Sequence, residues 1–262
     1  MLFLSVDPSL GRVDKASLSQ QKLMELFIEG IQNKEVICGS TEEPADFDTW
    51  EGITYSRKQP ADSREKEFEI NWFALNLIGT VGLEWLPPTV QELYICDSKL
   101  SGSVNLTALP PSIECLDLDI NAFFGEIDLC HLPAEIKGLT LSSNQLSGSL
   151  NLEQLPQRIQ SLHLDCNLFS GTVCLRHLPA GLQSFSVRNN ELSGMIDLTS
   201  LPIAIEYFEL DKNNFEGKTD FSRLPDGLKM MNISYTQLCG EIAVGNRTTS
   251  FVVDNSNVEL IQ

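Results

Sequence analysis

Residues 132–154 read LPAEIKGLTLSSNQLSGSLNLEQ, and residues 155–177 repeat the pattern as LPQRIQSLHLDCNLFSGTVCLRH. The Leu-Pro pair that opens these units occurs seven times at intervals of 23 residues, beginning at Leu86, Leu109, Leu132, Leu155, Leu178, Leu201 and Leu224. A fixed period of roughly 20–50 residues indicates a solenoid, because each unit must stack on its neighbours to bury its apolar face. The sequence therefore predicts seven coils over residues 86–246.

Each unit contains two apolar residues separated by one position, such as Leu116 and Leu118. Side chains alternate between the faces of a strand, so this spacing directs both leucines inward and the residues around them outward. We expect seven stacked parallel strands near residues 92–96, 115–119, 138–142, 161–165, 184–188, 207–211 and 230–234. A second apolar pair after each glycine, such as Ile127 and Leu129, predicts a short extra strand in each coil.

Polar and glycine positions recur in the same frame. An asparagine follows the strand in five units, at Asn121, Asn144, Asn167, Asn190 and Asn213. An interior amide there can hydrogen-bond the backbone of its own coil and of the next coil. A glycine later in each unit, such as Gly148, suits a tight bend that needs an unusual backbone angle.

The ends of the chain depart from the repeat, as the caps of a solenoid must. We expect an N-terminal cap over residues 1–62, with a helix within 17–32 and an acidic loop over 42–62. Residues 63–85 form a degenerate first coil. Residues 247–262 form a C-terminal cap, in which Phe251–Val253 continues the strand position.

The unit LPxx(L/I)xxLxLxxNxLxGx(I/V)xL resembles that of leucine-rich-repeat proteins, over about residues 17–262. Its glycine-containing half resembles the plant-type subclass, found in receptor kinases and in inhibitors of cell-wall-degrading enzymes. Residues 50–54, WEGIT, are similar to the end of that subclass's N-terminal cap, although Tyr55 replaces its disulfide cysteine. The unit is also similar to short leucine-rich-repeat proteins of flagellated protists.

This resemblance implies a leucine-rich-repeat solenoid, a β-rich right-handed superhelix with a helical N-terminal cap. It also implies a parallel concave sheet, with short second strands and turns on the convex side. For function it implies protein recognition only.

The chain carries 36 acidic and 18 basic residues, a formal net charge of −18. This balance argues against binding to nucleic acid or to an anionic membrane surface, and it favours a basic partner or high solubility. No apolar stretch has the length of a spanning helix, and Asp7 and Pro8 interrupt the apolar residues 1–6 before a signal-peptide core forms.

The seven cysteines form no column of the repeat, which predicts free thiols and a reducing compartment. We therefore expect an intracellular location, cytoplasmic or cytoskeletal. Asn-x-Ser/Thr triplets at Asn105, Asn232 and Asn246 keep a secreted or surface location as the alternative.

The outward positions of the seven strands form three columns that hold six carboxylates and one arginine. Aromatic residues and arginine are enriched at protein interfaces. We therefore predict an acidic partner-binding surface on the concave sheet, formed by Tyr94, Asp117, Asp119, His163, Asp165, Arg188, Tyr207, Glu209 and Asp211. The competing locations are the convex or lateral surface and the acidic loop of the cap.

The sequence predicts neither a catalytic site nor a metal site. His163 shares a strand face with Asp165, but no serine motif accompanies it. Carboxylates two coils apart in one column, such as Asp119 and Asp165, are separated by about 9–10 Å and cannot share one cation. Cys130 beside His131 lacks the spacing of a zinc site. The sequence therefore predicts a non-enzymatic protein–protein interaction module or scaffold subunit of a larger assembly, without cofactor or metal. The alternative is a secreted or surface ligand-recognition or inhibitor protein.

Overall fold

A computed structural model describes residues 15–56 and 66–262. Within these ranges the chain winds into stacked coils, and from β2 onwards successive strands alternate between two sheets. The expected boundary at residues 62 and 63, the end of the acidic cap loop and the apolar residues 1–6 lie outside the described residues.

The larger sheet has ten strands among the described residues. Its members are β1 (Ile53–Tyr55), β2 (Phe68–Asn71), β4 (Val90–Tyr94), β6 (Cys115–Asp117), β8 (Gly138–Thr140), β10 (Ser161–His163), β12 (Ser184–Ser186), β14 (Tyr207–Glu209), β16 (Met230–Asn232) and β18 (Ser250–Val252). Only the β1–β2 pair is antiparallel, and Glu92 pairs with Cys115, which confirms the register of 23. The degenerate coil and the C-terminal cap each add a strand, because Ile70 pairs with Leu93 and Met231 with Phe251.

The seven predicted strands begin close to where they were expected but end earlier. β6 ends at Asp117 rather than at residue 119, and the other repeat strands also end two residues before the predicted limit. The physical reason is a left-handed turn residue three positions after each strand end, such as Ile120 with φ 50° and Ser143 with φ 54°. The backbone leaves the sheet before the apolar alternation stops.

The second sheet has nine strands in the described part of the chain. These are β3 (Ile78–Gly79), β5 (Lys99–Gly102), β7 (Ala122–Gly125), β9 (Gln145–Gly148), β11 (Leu168–Gly171), β13 (Glu191–Gly194), β15 (Asn214–Lys218), β17 (Gln237–Ala243) and β19 (Asn257–Ile261). In the first five repeats the extra strand, β5 to β13, ends at the glycine, and the prediction of a strand after it was wrong there. Only β15 and β17, among the described repeats, run past their glycines. Gly148 has φ 86°, a conformation that ends the strand and that side chains rarely adopt.

The apolar pair after the glycine serves the core instead. Val104 and Leu106 are buried, and Leu106 begins a 3₁₀ helix, Leu106–Ala108. Inward strand residues of successive coils, such as Leu116, Leu139 and Leu162, stack in the same continuous core. Burying one such leucine contributes about 2–3 kcal/mol, so the stacking of coils is driven mainly by apolar burial.

The N-terminal cap contains two short helices, α1 (Gln20–Phe27) and α2 (Glu35–Cys38), and the 3₁₀ helices Lys15–Ser17 and Phe47–Thr49; a further 3₁₀ helix, Leu83–Trp85, precedes the first repeat. Helix α1 is shorter than the predicted 17–32 and begins after Ser19, whose hydroxyl accepts a bond from the Lys22 amide at 3.2 Å. Phe27 stacks on Trp72 with ring centroids 5.6 Å apart. The cap thus covers the apolar end of the coil stack.

The interior asparagines connect the coils. Asn144 Nδ2 donates to the carbonyls of Leu141 at 3.1 Å and Leu118 at 3.0 Å, and its Oδ1 accepts from the Phe123 amide at 3.0 Å. Leu118 and Phe123 belong to the preceding coil, so the expectation that the amide reaches the next coil was wrong in direction. Asn121, Asn167, Asn190 and Asn213 repeat this arrangement.

The cysteines all lie within the described residues, and each of the seven is free. Among residues 15–56 and 66–262, none of the helices has the length and apolarity that crossing a bilayer requires.

Candidate partner-binding face

The outward side of the ten-stranded sheet is called the concave face below, and its side chains form the three predicted columns. The first two columns come from the strands themselves. Tyr207 in the first column is 44% exposed, and Asp117, His163 and Glu209 in the second are half-buried. These residues lie on β6, β10 and β14, which are alternate strands of the sheet. Neighbouring strands pair in parallel register, as Glu92 with Cys115 and Ser186 with Glu209 show.

Coils one and two contain a tyrosine, a thiol and three carboxylates in two groups of close contacts. The Tyr94 hydroxyl donates to Glu92 Oε2 at 2.6 Å, and burial together with this contact raises the pKa of Tyr94. Cys96 Sγ and the carboxylates of Asp117 and Asp119 lie within 4.8 Å of one another. Burial and the charge of Asp117 raise the pKa of both Cys96 and Asp119. Negative charge is therefore unfavourably concentrated here.

The centre of the face is held by hydroxyl contacts between coils. The Ser142 hydroxyl donates to Asp165 Oδ1 at 2.6 Å. His163 Nε2 lies 2.7 Å from Ser184 Oγ, a contact that the sequence did not predict. A nucleophilic serine also needs a group that orients the histidine through Nδ1, and no hydrogen bond reaches His163 Nδ1 among the described residues. The simpler role of the His163–Ser184 contact is to hold these two side chains in place on the concave face.

Arg188 and Asp211 form an ion pair across coils five and six, with Nε 3.1 Å from Oδ2. Asp211 was predicted to face solvent, and that prediction was wrong, because only 2% of its surface is exposed. Burial raises the pKa of Asp211, and Arg188 offsets part of this effect. Arg188 itself remains 43% exposed at its side chain and is accessible to a partner.

Apart from Arg188, the third column is more buried than the sequence indicated. Cys96, Ser142 and Ser234 are buried like Asp211, whereas Asp119 and Asp165 are half-buried. The strands end before this column, so its side chains follow the turn and pack against those of the neighbouring coils. The partly accessible carboxylates of the concave face are therefore Glu92 of the first column, Asp117 and Glu209 of the second, and Asp119 and Asp165 of the third.

Lysines at the edge of the face were missed from the sequence. Lys229 Nζ lies 5.7 Å from the centre of the Tyr207 ring and 2.6 Å from Glu206 Oε2. Lys137 likewise pairs with Glu114. All four residues occupy the position immediately before a strand of the ten-stranded sheet. The 23-residue offset between the members of each pair is the sequence signal that could have revealed them.

Comparisons with known proteins agree with this architecture. No family model matches the chain, and no curated protein matches it. Among solved structures it is similar to pollen receptor kinase 3, with 23% identity and a TM-score of 0.56 over 75% of this chain and 96% of that one. It is also similar to the leucine-rich-repeat ectodomain of the receptor kinase GASSHO1/SCHENGEN3 from Arabidopsis thaliana, in complex with CASPARIAN STRIP INTEGRITY FACTOR 2. That match has 18% identity and a TM-score of 0.51 over 93% of this chain and 38% of that one.

A plant ice-binding protein is similar over 92% of this chain and 94% of that one, with 16% identity and a TM-score of 0.50. At these levels of sequence identity the matches show the fold alone. The chain is a leucine-rich-repeat solenoid of stacked parallel strands.

Proposed function

We propose that the chain is a non-enzymatic protein-binding module, or a scaffold subunit of a larger assembly, that binds a basic partner through its concave face. The observation that carries this proposal is a set of carboxylates that are accessible to solvent and that pair with no basic side chain among the described residues. Asp117, Asp165 and Glu209 are half-buried, and none of them forms an ion pair among the described residues. Tyr207 offers an exposed aromatic contact beside them.

The electrostatics of the face favour a basic partner. The pKa of Asp119 is raised by burial and further by Asp117 and Asp165, so these charges repel one another. Coils stack about 4.8 Å apart, and seven strands span about 30 Å, enough to hold a helix or a small domain. Cationic side chains of a partner would relieve the repulsion and would be attracted over a Debye length of about 8 Å at physiological ionic strength.

The fold supports binding rather than catalysis as the class of function. The GASSHO1/SCHENGEN3 ectodomain was solved in complex with another factor, so a solenoid of this kind can present a recognition surface. At 18% identity the likeness supports the class of function, and the choice of face rests on the charges described above.

Charge reversal tests the choice of face. Full-length protein with Asp117→Lys and Asp165→Lys should capture fewer basic proteins than the native chain and associate more slowly with a recovered partner. Its association rate should also depend less on salt, because steering is lost. The matched control is Glu191→Lys with Glu216→Lys, which changes the net charge equally at exposed positions of the second sheet. Unchanged binding by the first pair and loss by the second would place the interface elsewhere.

The compartment is a separate proposal. Seven free thiols support an intracellular location. The alternative of a secreted or surface recognition protein is favoured by one observation, the exposure of the Asn105 and Asn246 triplets. A decrease in mass when protein from its native source is treated with a deglycosylating enzyme would favour the secreted or surface alternative. An unchanged mass, together with cytoplasmic localisation of an end-tagged chain, would support the intracellular proposal.

A further inference from the structure

One position of the repeat caps the turn after the second sheet. In five coils it is occupied by Asn105, Asp128, Asn151, Asp197 and Asp220. In each of these coils the side-chain oxygen accepts a hydrogen bond from the amide two residues later, at distances of 2.8 to 3.2 Å. Short side chains of this type satisfy the backbone of a turn in this way. The position therefore has a clear structural role in most of the chain.

Two coils depart from this rule: coil seven, the last repeat, has Ala243 at this position, and coil four, residues 155–177, has a residue that can bind a metal. In coil four the residue at the capping position is Cys174, which makes no such bond to the backbone. A thiol is a weak acceptor and a poor substitute for a carboxylate or an amide. The chain has thus lost a turn-capping interaction in this coil, and the packing of the core gives no reason for it, because Cys174 is only half-buried.

Two further metal-ligating side chains surround Cys174. Ligand atoms of Glu153, Cys174 and His177 lie within 4.8 Å of one another. Glu153 comes from coil three, and its Oε1 is 3.6 Å from His177 Nδ1. His177 follows Cys174 by three residues in the same turn.

Coil two shows that this turn brings the two positions into contact. There Asp128 occupies the capping position, and its Oδ2 lies 2.7 Å from Nδ1 of His131, three residues later. Cys174 and His177 occupy the same two positions two coils further on. The turn geometry therefore presents the sulfur and the imidazole to one point, and the neighbouring coil adds the carboxylate.

We propose that Cys174, His177 and Glu153 bind one Zn²⁺ ion on the surface of coils three and four. Zinc takes thiolate, imidazole and carboxylate ligands at about 2.0–2.3 Å, which places ligand atoms about 3.5 Å apart in a tetrahedral site. The side chains of Glu153 and His177 are 53% and 64% exposed, so they are free to close the remaining distance. Three protein ligands leave the fourth position to water or to a group from a partner. The mixed set, with a single carboxylate, is unsuited to Ca²⁺ or Mg²⁺, which prefer oxygen ligands.

The site is independent of the proposed concave face, because its residues belong to the turn after the second sheet. It differs also from the cluster on the concave face, where two carboxylates, of Asp117 and Asp119, and no imidazole lie beside the Cys96 thiol. Among residues 15–56 and 66–262 that cluster is the rival location for a metal ion, and the experiment below separates the two.

Binding is tested on the full chain with Zn²⁺ and with Co²⁺, whose absorption reports a thiolate ligand. The native protein should take up one equivalent of Co²⁺ with a thiolate-to-metal charge-transfer band, and Zn²⁺ should displace it. The decisive variant is Cys174→Asn, which restores the residue type of coil three. We expect it to lose the band and to weaken Zn²⁺ binding by on the order of tenfold or more, since loss of even an outer-shell contact has such an effect.

Cys174→Asn should fold at least as well as the native chain without metal, because it regains the turn cap, and thermal unfolding in a chelator checks this. Cys130→Ser, in coil two, is the control that should keep the band. A band that survives Cys174→Asn, a band lost in Cys96→Ser, or the absence of any thiolate band in the reduced native protein would each overturn the proposal.

Discussion

Replacing Asn167 by alanine should destabilise the solenoid strongly, because this side chain completes the backbone hydrogen bonding of two coils. Its Oδ1 accepts from the Leu146 amide at 3.0 Å, and its Nδ2 donates to the carbonyls of Leu141, Leu164 and Asp165. The Leu141 and Leu164 carbonyls keep donors from Asn144 and Asn190, but the Leu146 amide loses its side-chain acceptor.

The size of the effect follows from these contacts. A buried amide left without an acceptor costs about 2 kcal/mol, and three weakened carbonyl contacts cost about 0.5 kcal/mol each. The free energy of unfolding should therefore fall by about 3.5 kcal/mol, and at about 2 °C per kcal/mol for a chain of this size the Tm should fall by about 7 °C.

The assay is denaturant and thermal unfolding followed by circular dichroism, with Asn151→Ala as the matched control. Asn151 is exposed and accepts one bond, from the Glu153 amide at 3.1 Å, so its removal should cost less than about 1 kcal/mol. If Asn167→Ala proved no more destabilising than Asn151→Ala, the reasoning that the interior amides hold the coils together would fail.

Two further predictions concern charge and redox state. Asp119→Asn should raise the Tm at neutral pH, because the pKa of Asp119 is raised in the folded chain and its charged form is therefore disfavoured there. The native chain recovers this stability as pH falls through the raised pKa, so the gain should shrink in acid; a gain that grew in acid would contradict the sign of the shift. Thiol titration of freshly purified, denatured, unreduced protein should find all seven cysteines, and a count of five or fewer would favour the secreted alternative.

The coil register and the strand positions were predictable because they depend on apolar spacing, which the sequence shows directly. The strand ends were not. The left-handed position that ends each coil's strand segment is occupied by residues as different as Ile120, Cys166 and Lys212. Since no residue type is shared there, the turn leaves no sequence signal, and the apolar alternation continues past the strand end at Asp117 to Leu118.

The candidate face was predictable as a set of columns but not in its accessibility. Asp119 and Asp211 occupy the same column, yet only Asp211 is buried, since Arg188 from the preceding coil pairs with it. Such pairing depends on side-chain conformation rather than on spacing. The Cys174 position, in contrast, could have been singled out from sequence by comparing the capping column coil by coil.

The direction of the interior amides has a consequence for synthesis on the ribosome. The Leu146 amide is completed by Asn167, which is translated 21 residues later. At about 5–20 residues per second, each coil therefore waits roughly one to four seconds for the residue that completes it. The most recently translated coil therefore always lacks the asparagine that completes its hydrogen bonds. A nascent chain has one such incompletely bonded coil at a time, and its position moves along the solenoid as synthesis proceeds. A stalled or truncated product would expose that coil, whichever one synthesis had reached.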